Sequence, residues 1–110
     1  RPPRKGEVNG VDYWFLTRAE FQAKIDQNEL LEYAEVHKNL YGTLRAPVEE
    51  AVRAKKWIVL EIDVQGYKQV KKIKPETVGF FVRAAGIEDY RQRLENRGTE
   101  PPADIERRFE

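Results

Sequence analysis

The sequence predicts an α/β fold whose centre is part of a parallel sheet. The apolar run at 57–64 is the strongest strand signal, and its continuity is typical of a parallel strand covered on both faces. A lysine-rich helix is predicted from 65 to about 73, and a second apolar strand is predicted at 77–82. A strand, a helix and a strand in this order predict a right-handed crossover between parallel neighbours.

Composition narrows the class of protein. Charged residues make up 35% of the 110 residues, against about 25% in an average domain, so the predicted core is thin. The net charge of +1 argues against a general nucleic-acid or membrane-surface binder. With no cysteine and one histidine, disulfides and thiolate or histidine metal sites are not expected. No apolar run approaches roughly 18 residues, so we expect a cytoplasmic protein. The chain begins at Arg1 and stops within a predicted helix, as a piece of a longer chain would.

The N-terminal residues combine basic side chains with a backbone that prolines keep out of a helix. Arg1 and Arg4 are either a solvated tail or two guanidinium forks suited to a phosphate. Turn residues at 6–10 lead to a short aromatic strand predicted at 13–16. Tyr13, at its start, is either a core residue or a hydroxyl donor to that phosphate.

Two helices precede the predicted sheet. Thr17 and Glu20 form a capping-box pattern that predicts a helix over 18–28. Pro47 lies just inside a second predicted helix, in which Val48, Ala51 and Val52 recur at helical spacing.

The stretch between these helices predicts a hairpin with an unusual polar face. Apolar alternation through Val36 and the segment 40–43 predict two strands joined by a turn at 37–39, with His37 an ordinary surface residue. Three polar side chains would then share one concave face: Glu32, Tyr41 and Thr43. A carboxylate accepts two parallel hydrogen bonds from the ring N–H and amine of guanine, and a hydroxyl can donate to its carbonyl. Alternatively, Glu32 simply faces water.

Acidic residues also end the first predicted sheet strand. Glu61 and Asp63 would point to one side near its carboxyl end, where open α/β sheets bind ligands. The alternative is a pair of solvated charges.

The C-terminal part predicts a helix that ends at Gly98 and packs through Ile87, Tyr90 and Leu94. Arg93 and Arg97 lie four residues apart, so their repulsion would be relieved either by an anion or by acids such as Asp89. A last helix carries Arg107 and Arg108, with Asp104 as the ordinary partner of Arg108.

Six motifs, in this order and spacing, resemble those of the guanylate kinase family. They are Arg-Pro-Pro-Arg at 1–4, Gly-Glu-Val-Asn-Gly-Val-Asp-Tyr at 6–13, Leu-Leu-Glu-Tyr-Ala-Glu at 30–35, Tyr-Gly-Thr at 41–43, Leu-Glu-Ile-Asp-Val-Gln-Gly at 60–66 and Arg-Leu-Glu-Asn-Arg-Gly-Thr at 93–99. The resemblance implies an α/β fold of the P-loop nucleoside monophosphate kinase type. It would comprise a partial parallel core sheet, an inserted, mostly β GMP-binding lobe and a helical lid that closes over ATP.

The resemblance also assigns roles to individual residues. The positions that hold the GMP phosphate are Arg1, Arg4, Tyr13 and Tyr41. Glu32 and Thr43 match the residues that read guanine. Glu61 and Asp63 match acids near the guanine amine and the metal-phosphate site. The lid arginines, which carry catalysis, are Arg93, Arg97 and Arg108.

The implied organisation is a GMP-binding lobe at 1–46, a partial core at 47–86 and a truncated lid segment at 87–110. The implied activity is ATP-dependent phosphorylation of GMP to GDP, in purine metabolism, with Mg²⁺ as the metal and no nucleic-acid or membrane partner. Glu61 replaces a usual aspartate, and 84–86 replaces a proline-rich turn. The phosphate-cradling Gly-rich loop is not among these 110 residues, so the chain alone is expected to be inactive.

A second class of protein fits part of the pattern. Scaffold-type guanylate kinase-like modules resemble the enzyme but bind phosphorylated partner proteins without catalysis. They would use the same arginine and tyrosine grip on phosphate. Because such modules tend to lose the second strand-end acid and the lid arginines, the presence of Asp63, Arg93, Arg97 and Arg108 favours the enzyme.

Overall fold

Helices and one hairpin make up the regular structure. We describe residues 1–109 from a computed structural model. The elements, in chain order, are α1 (Arg18–Asp26), β1 (Leu30–Val36), β2 (Asn39–Leu44), α2 (Arg45–Arg53), α3 (Val64–Ile73), α4 (Ile87–Arg97) and α5 (Pro102–Glu106). The predicted capping box is confirmed, because Thr17 Oγ1 accepts from the Glu20 amide at 3.2 Å and the Glu20 carboxylate accepts from the Thr17 amide at 2.7 Å.

The predicted hairpin is confirmed. β1 and β2 pair antiparallel, and the turn between them places His37 and Lys38 at φ values of 49° and 65°. Positive φ at both central residues gives the twist that favours a tight two-residue hairpin turn. The register sets Glu32 opposite Thr43 and Ala34 opposite Tyr41. These side chains therefore share one face of the sheet, since side chains alternate along a strand.

The core joins the hairpin to two helices. Leu31 of β1, Val48 of α2 and Val70 of α3 are buried together, and Leu60 and Ile62 pack against them. This cluster crosses the boundary at 46/47 between the predicted lobe and core, and that division stays a prediction. The Cα radius of gyration of 15.8 Å exceeds the roughly 13 Å of a compact domain of this length. Seven apolar side chains are buried within residues 1–109, so the predicted thin core is confirmed.

The predicted sheet strands do not form within residues 1–109. Segments 57–63 and 77–82 carry no strand, and the described sheet contains only β1 and β2. The aromatic strand predicted at 13–16 is reduced to a single bridge between Asn9 and Tyr13. Trp57 and Phe80 are 99% and 88% exposed. Apolar composition indicates strand propensity only, and a strand also needs a neighbouring backbone to accept and donate its hydrogen bonds.

The C-terminal helices α4 and α5 contact each other, and Leu94 of α4 and Ile105 of α5 are both buried. Gly98 ends α4 at a φ of 63°, a left-handed conformation that suits glycine, so the predicted stop is confirmed. The prediction that Ile87 helps to pack α4 is wrong, because this side chain is 63% exposed. Tyr90 instead meets the Phe109 ring edge-on at a centroid distance of 5.8 Å.

Candidate functional site

Glu32 and Thr43 meet on one face of the hairpin. The Thr43 hydroxyl donates to Glu32 Oε1 over 2.6 Å, and Glu32 is 5% exposed. The alternative in which Glu32 faces water is therefore wrong. The hydroxyl has one proton, and Glu32 already accepts it. Donation from Thr43 to a guanine carbonyl would require this hydroxyl to turn away from Glu32.

The Glu32 carboxylate lies in an environment that disfavours its charge. Burial raises the pKa of Glu32, the Thr43 hydrogen bond lowers it, and the nearby Asp63 charge raises it further. No cation pairs with Glu32 among residues 1–109. The site therefore favours ligands that bring N–H donors to this carboxylate.

Three of the predicted phosphate-binding residues lie close together beside the hairpin. The Arg1 guanidinium lies 5.2 Å from the centroid of the Tyr13 ring, and the Tyr13 and Tyr41 centroids are 6.4 Å apart. Tyr41 and Thr43 are two residues apart on β2 and point to the same face. The predicted base-reading and phosphate-binding positions therefore adjoin along one strand.

A carboxylate that the sequence analysis did not assign holds Arg1. Glu7 accepts from Arg1 Nη1 and Nη2 at 2.8 and 2.7 Å, and from the Arg4 amide at 2.6 Å. The Arg1 side chain, followed by the Arg4 backbone, lowers the pKa of Glu7 to about 2. The Glu7 hydrogen bond in turn raises the pKa of Arg1, against the effect of burial. An anion that binds Arg1 would compete with Glu7.

The Arg4 side chain lies with Arg108 near the C-terminus, although the Arg4 backbone amide bonds to Glu7 beside Arg1. Its Nη2 donates to Glu100 Oε1 at 2.8 Å, and Arg108 Nη2 donates to the same oxygen at 2.7 Å. Glu100 thus connects the first residues of the chain to the segment between α4 and α5. The sequence predicted Asp104 as the partner of Arg108, but Asp104 pairs with Arg107 instead.

The three predicted lid arginines line a single cleft. Arg93, Arg97 and Arg108 face it together with Arg83, which the sequence analysis did not assign. The acid partner proposed for Arg93 is also present, since Asp89 accepts from Arg93 at 3.1 Å. The acid interpretation of Arg93 is therefore confirmed, and Arg108 likewise has an acid partner in Glu100. That these arginines bind an anion stays a prediction.

The two strand-end acids are not equivalent. Asp63 caps α3, where its Oδ1 accepts from the Gly66 amide at 2.8 Å. Glu61 is exposed, and no described residue donates a hydrogen bond to its side chain. Their predicted substrate and metal roles stay predictions.

Two residues of α3 that the sequence analysis did not assign contact β1. Gly66 faces the Glu32 carboxylate, and the Gln69 side chain bonds to the Tyr33 backbone. Composition gave no signal for either, because both contacts depend on how α3 packs on β1. The sequence did contain a hint at 66, since glycine is a poor helix former yet lies near the start of a predicted helix.

The described residues do not by themselves form a metal-binding cluster. Within residues 1–109, no group of three or more carboxylate or histidine side chains is arranged to hold a metal ion. No helix in this part of the chain is both long and apolar enough to cross a membrane.

Comparison with known proteins covers the whole chain. The family model described as "Guanylate kinase" matches residues 1–110. The guanylate kinase of Clostridioides difficile is 43% identical over 109 residues, which are 99% of this chain and 53% of that protein. The Thermus thermophilus guanylate kinase is 46% identical over 110 residues, or 100% of this chain and 50% of the relative. The chain thus spans about half the length of the curated relatives it matches.

A solved structure supports the same relationship. The crystal structure of guanylate kinase from Anaplasma phagocytophilum matches with a TM-score of 0.81 and 35% identity, over 90% of this chain and 53% of that one. This likeness supports the α/β fold of nucleoside monophosphate kinases. Within that class, the chain belongs to the guanylate kinase family.

Proposed function

We propose that the protein carrying this chain transfers a phosphoryl group from ATP to GMP and releases GDP. Within that protein, this chain would recognise GMP and would provide the lid arginines. One observation carries the proposal: a buried carboxylate, Glu32, is held by Thr43 on the face that also presents Tyr41. Family membership, and the names of relatives that this chain half covers, support the same activity.

Recognition of the base follows from the polarity of Glu32. Guanine presents a ring N–H and an adjacent amine, and the two can donate together to one carboxylate. Adenine has a lone pair at the corresponding ring nitrogen, so it would leave Glu32 buried without its partners. Polar sites of this kind reject the wrong partner by about ten-thousandfold.

The 5′ phosphate of GMP would be bound by the group beside β2. Arg1 provides a planar fork, and Tyr13 and Tyr41 provide hydroxyl donors. Because Glu7 occupies the Arg1 fork, the phosphate would take its place or share the guanidinium. Glu7, with its pKa lowered to about 2, remains an anion and keeps Arg1 in place between binding events.

The cleft arginines would act on the charge of the transferred group. Phosphoryl transfer passes through a loose transition state, so positively charged groups placed around its oxygens are the main form of catalysis. Arg93, Arg97 and Arg108 line one cleft and provide that charge. ATP, with Mg²⁺, supplies the phosphoryl group when bound.

The proposal is tested in the full-length protein by measuring phosphoryl transfer from ATP to GMP and to AMP. We expect kcat/KM to favour GMP by about ten-thousandfold. Glu32→Ala should remove most of that preference by lowering kcat/KM for GMP, while turnover of AMP changes little. An unchanged preference in Glu32→Ala would contradict the base-reading role. Binding of a phosphopeptide with no turnover of either nucleotide would instead support the scaffold-type module.

A further inference from the structure

The first turn of α3 lies directly against the Glu32 carboxylate. A Cβ atom added at Gly66 would lie 2.9 Å from Glu32 Cδ and would overlap Oε2. Cβ atoms essentially never approach other heavy atoms closer than 3.0 Å. Any side chain at position 66 must therefore displace the carboxylate or move the helix away from β1.

The backbone of Gly66 does not itself require glycine. The residue lies within α3 and does not have a positive φ, so any L-residue could adopt its conformation. Glycine is also among the poorest helix formers. The close approach of Glu32 is therefore the physical reason that the structure offers for glycine at this position.

One turn further along α3, the Gln69 side chain hydrogen-bonds to the backbone of Tyr33, the residue that follows Glu32 in β1. Its Oε1 accepts from the Tyr33 amide at 3.1 Å, and its Nε2 donates to the Tyr33 carbonyl at 2.7 Å. The side-chain amide thus makes the two hydrogen bonds that a neighbouring strand would make. Because β2 pairs with the other edge of β1, Gln69 bonds to the edge that no strand within residues 1–109 covers. Tyr33 adjoins Glu32, so this bond fixes the backbone from which the carboxylate projects.

From these contacts we propose that Gly66 and Gln69 are positioning residues for guanine recognition. Gly66 leaves the space that the Glu32 carboxylate occupies beside α3. Gln69 fixes the position of the β1 backbone from which Glu32 projects. Neither residue touches the base. The inference rests on the proposed function, because it assigns these two residues to the selectivity of the same site.

The test uses four variants of the full-length protein, with kcat and KM measured for GMP and AMP. Gly66→Ala should raise KM for GMP at least tenfold and leave kcat/KM for AMP within about twofold, so selectivity falls. Gly86→Ala is the matched control, because an added Cβ there meets nothing within 4 Å. Gln69→Glu keeps the shape but loses the donor to the Tyr33 carbonyl, and it should raise KM for GMP severalfold. Its control is Gln92→Glu on the exposed face of α4.

A compensating variant separates positioning from simple loss of stability. Glu32→Asp shortens the side chain by one methylene, which withdraws the carboxylate from α3 and makes room for a Cβ at position 66. The Gly66→Ala effect on GMP selectivity should therefore be smaller in the Glu32→Asp background than in the wild type. Equal effects in the two backgrounds, or equal losses for GMP and AMP, would overturn the positioning role. If Gly66→Ala does not fold, the proposal is tested by Gln69→Glu alone. Unchanged selectivity for GMP in that variant would overturn the proposal.

The outcomes separate this inference from the proposed function. If Glu32→Ala leaves the preference for GMP intact, the proposed function fails and the inference fails with it. If Glu32→Ala removes the preference while folded Gly66→Ala and Gln69→Glu keep it, the proposed function stands and only the inference is overturned.

Discussion

The hairpin and the C-terminal helix pair hold their charged side chains in opposite ways. In the hairpin, the Glu32 carboxylate is buried against a neutral hydroxyl, and its pKa is raised. In the helix pair, Arg93 and Arg108 already have acid partners in Asp89 and Glu100. The Glu32 carboxylate thus has capacity left for neutral N–H donors, whereas Arg93 and Arg108 must exchange one anion for another. The comparison predicts that the hairpin controls which nucleotide binds and that the cleft controls how fast it reacts.

The largest effect that separates the two regions should come from the cleft. Arg97→Ala in the full-length protein removes one positive charge from the transition state, and such an arginine can be worth about a thousandfold in kcat. KM for GMP should change by less than about threefold, because the base and its phosphate are bound elsewhere. Steady-state kinetics with GMP and ATP measure both parameters. A rise in KM with normal kcat would show that the division between selectivity and rate is wrong.

The second effect concerns the cost of keeping Glu32 charged. Because its folded pKa is raised, this group stabilises the protein fully at a pH below its ordinary pKa of 4.5, and that contribution is lost as pH rises through the folded pKa. Glu32→Gln keeps the acceptor for Thr43 but cannot ionise. At pH 7 we expect the variant to be more stable by about 0.5–2 kcal/mol. Urea unfolding at pH 4 and pH 7 measures the difference, which should shrink at the lower pH.

Glu7 should show the opposite dependence on pH. Its folded pKa, lowered to about 2, gives stability that is present above its ordinary pKa of 4.5 and is lost as pH falls toward 2. Glu7→Gln should therefore flatten the acid limb of a plot of unfolding free energy against pH. Denaturant melts at a series of pH values between 2 and 6 measure this slope. An unchanged acid limb would mean that the ion pair between Arg1 and Glu7 contributes no stability to the folded chain.

The smallest effect should come from Glu100. Its bonds to Arg4 and Arg108 are ion pairs at a partly open surface, and such pairs usually contribute about 1 kcal/mol or less. Glu100→Gln should lower stability by no more than that, and the loss should diminish in high salt. Thermal unfolding at two salt concentrations measures both quantities. A much larger loss of stability would contradict the treatment of these two bonds as surface ion pairs.

The sequence predicted what depends on neighbours along the chain. The capping box at Thr17, the hairpin turn at His37 and the glycine stop at Gly98 follow from local geometry, and each is confirmed. It also predicted that Glu32 and Thr43 would share a face, because strand alternation fixes the sides of a hairpin once the turn is known. The partners of Arg1 and Arg4 could not be predicted, since Glu7 and Glu100 reach them through the fold.

The sequence failed where structure depends on a partner backbone. Apolar residues at 57–64 and 77–82 predicted strands, yet within residues 1–109 neither segment pairs with another strand. Propensity describes how a side chain suits a sheet and not whether another strand lies beside it. The contact of Gly66 with Glu32 was missed for a related reason, because it arises from the packing of α3 on β1 and has no period along the chain.

Calorimetric titration of the full-length protein with GMP, AMP and inorganic phosphate tests the central claim most directly. The account predicts that GMP binds far more tightly than AMP, by about ten-thousandfold, and more tightly than phosphate alone, because Glu32 and the cluster of Arg1, Tyr13 and Tyr41 act on two parts of one ligand. Equal affinity for all three would mean that the cations bind any anion and that the buried carboxylate reads no base.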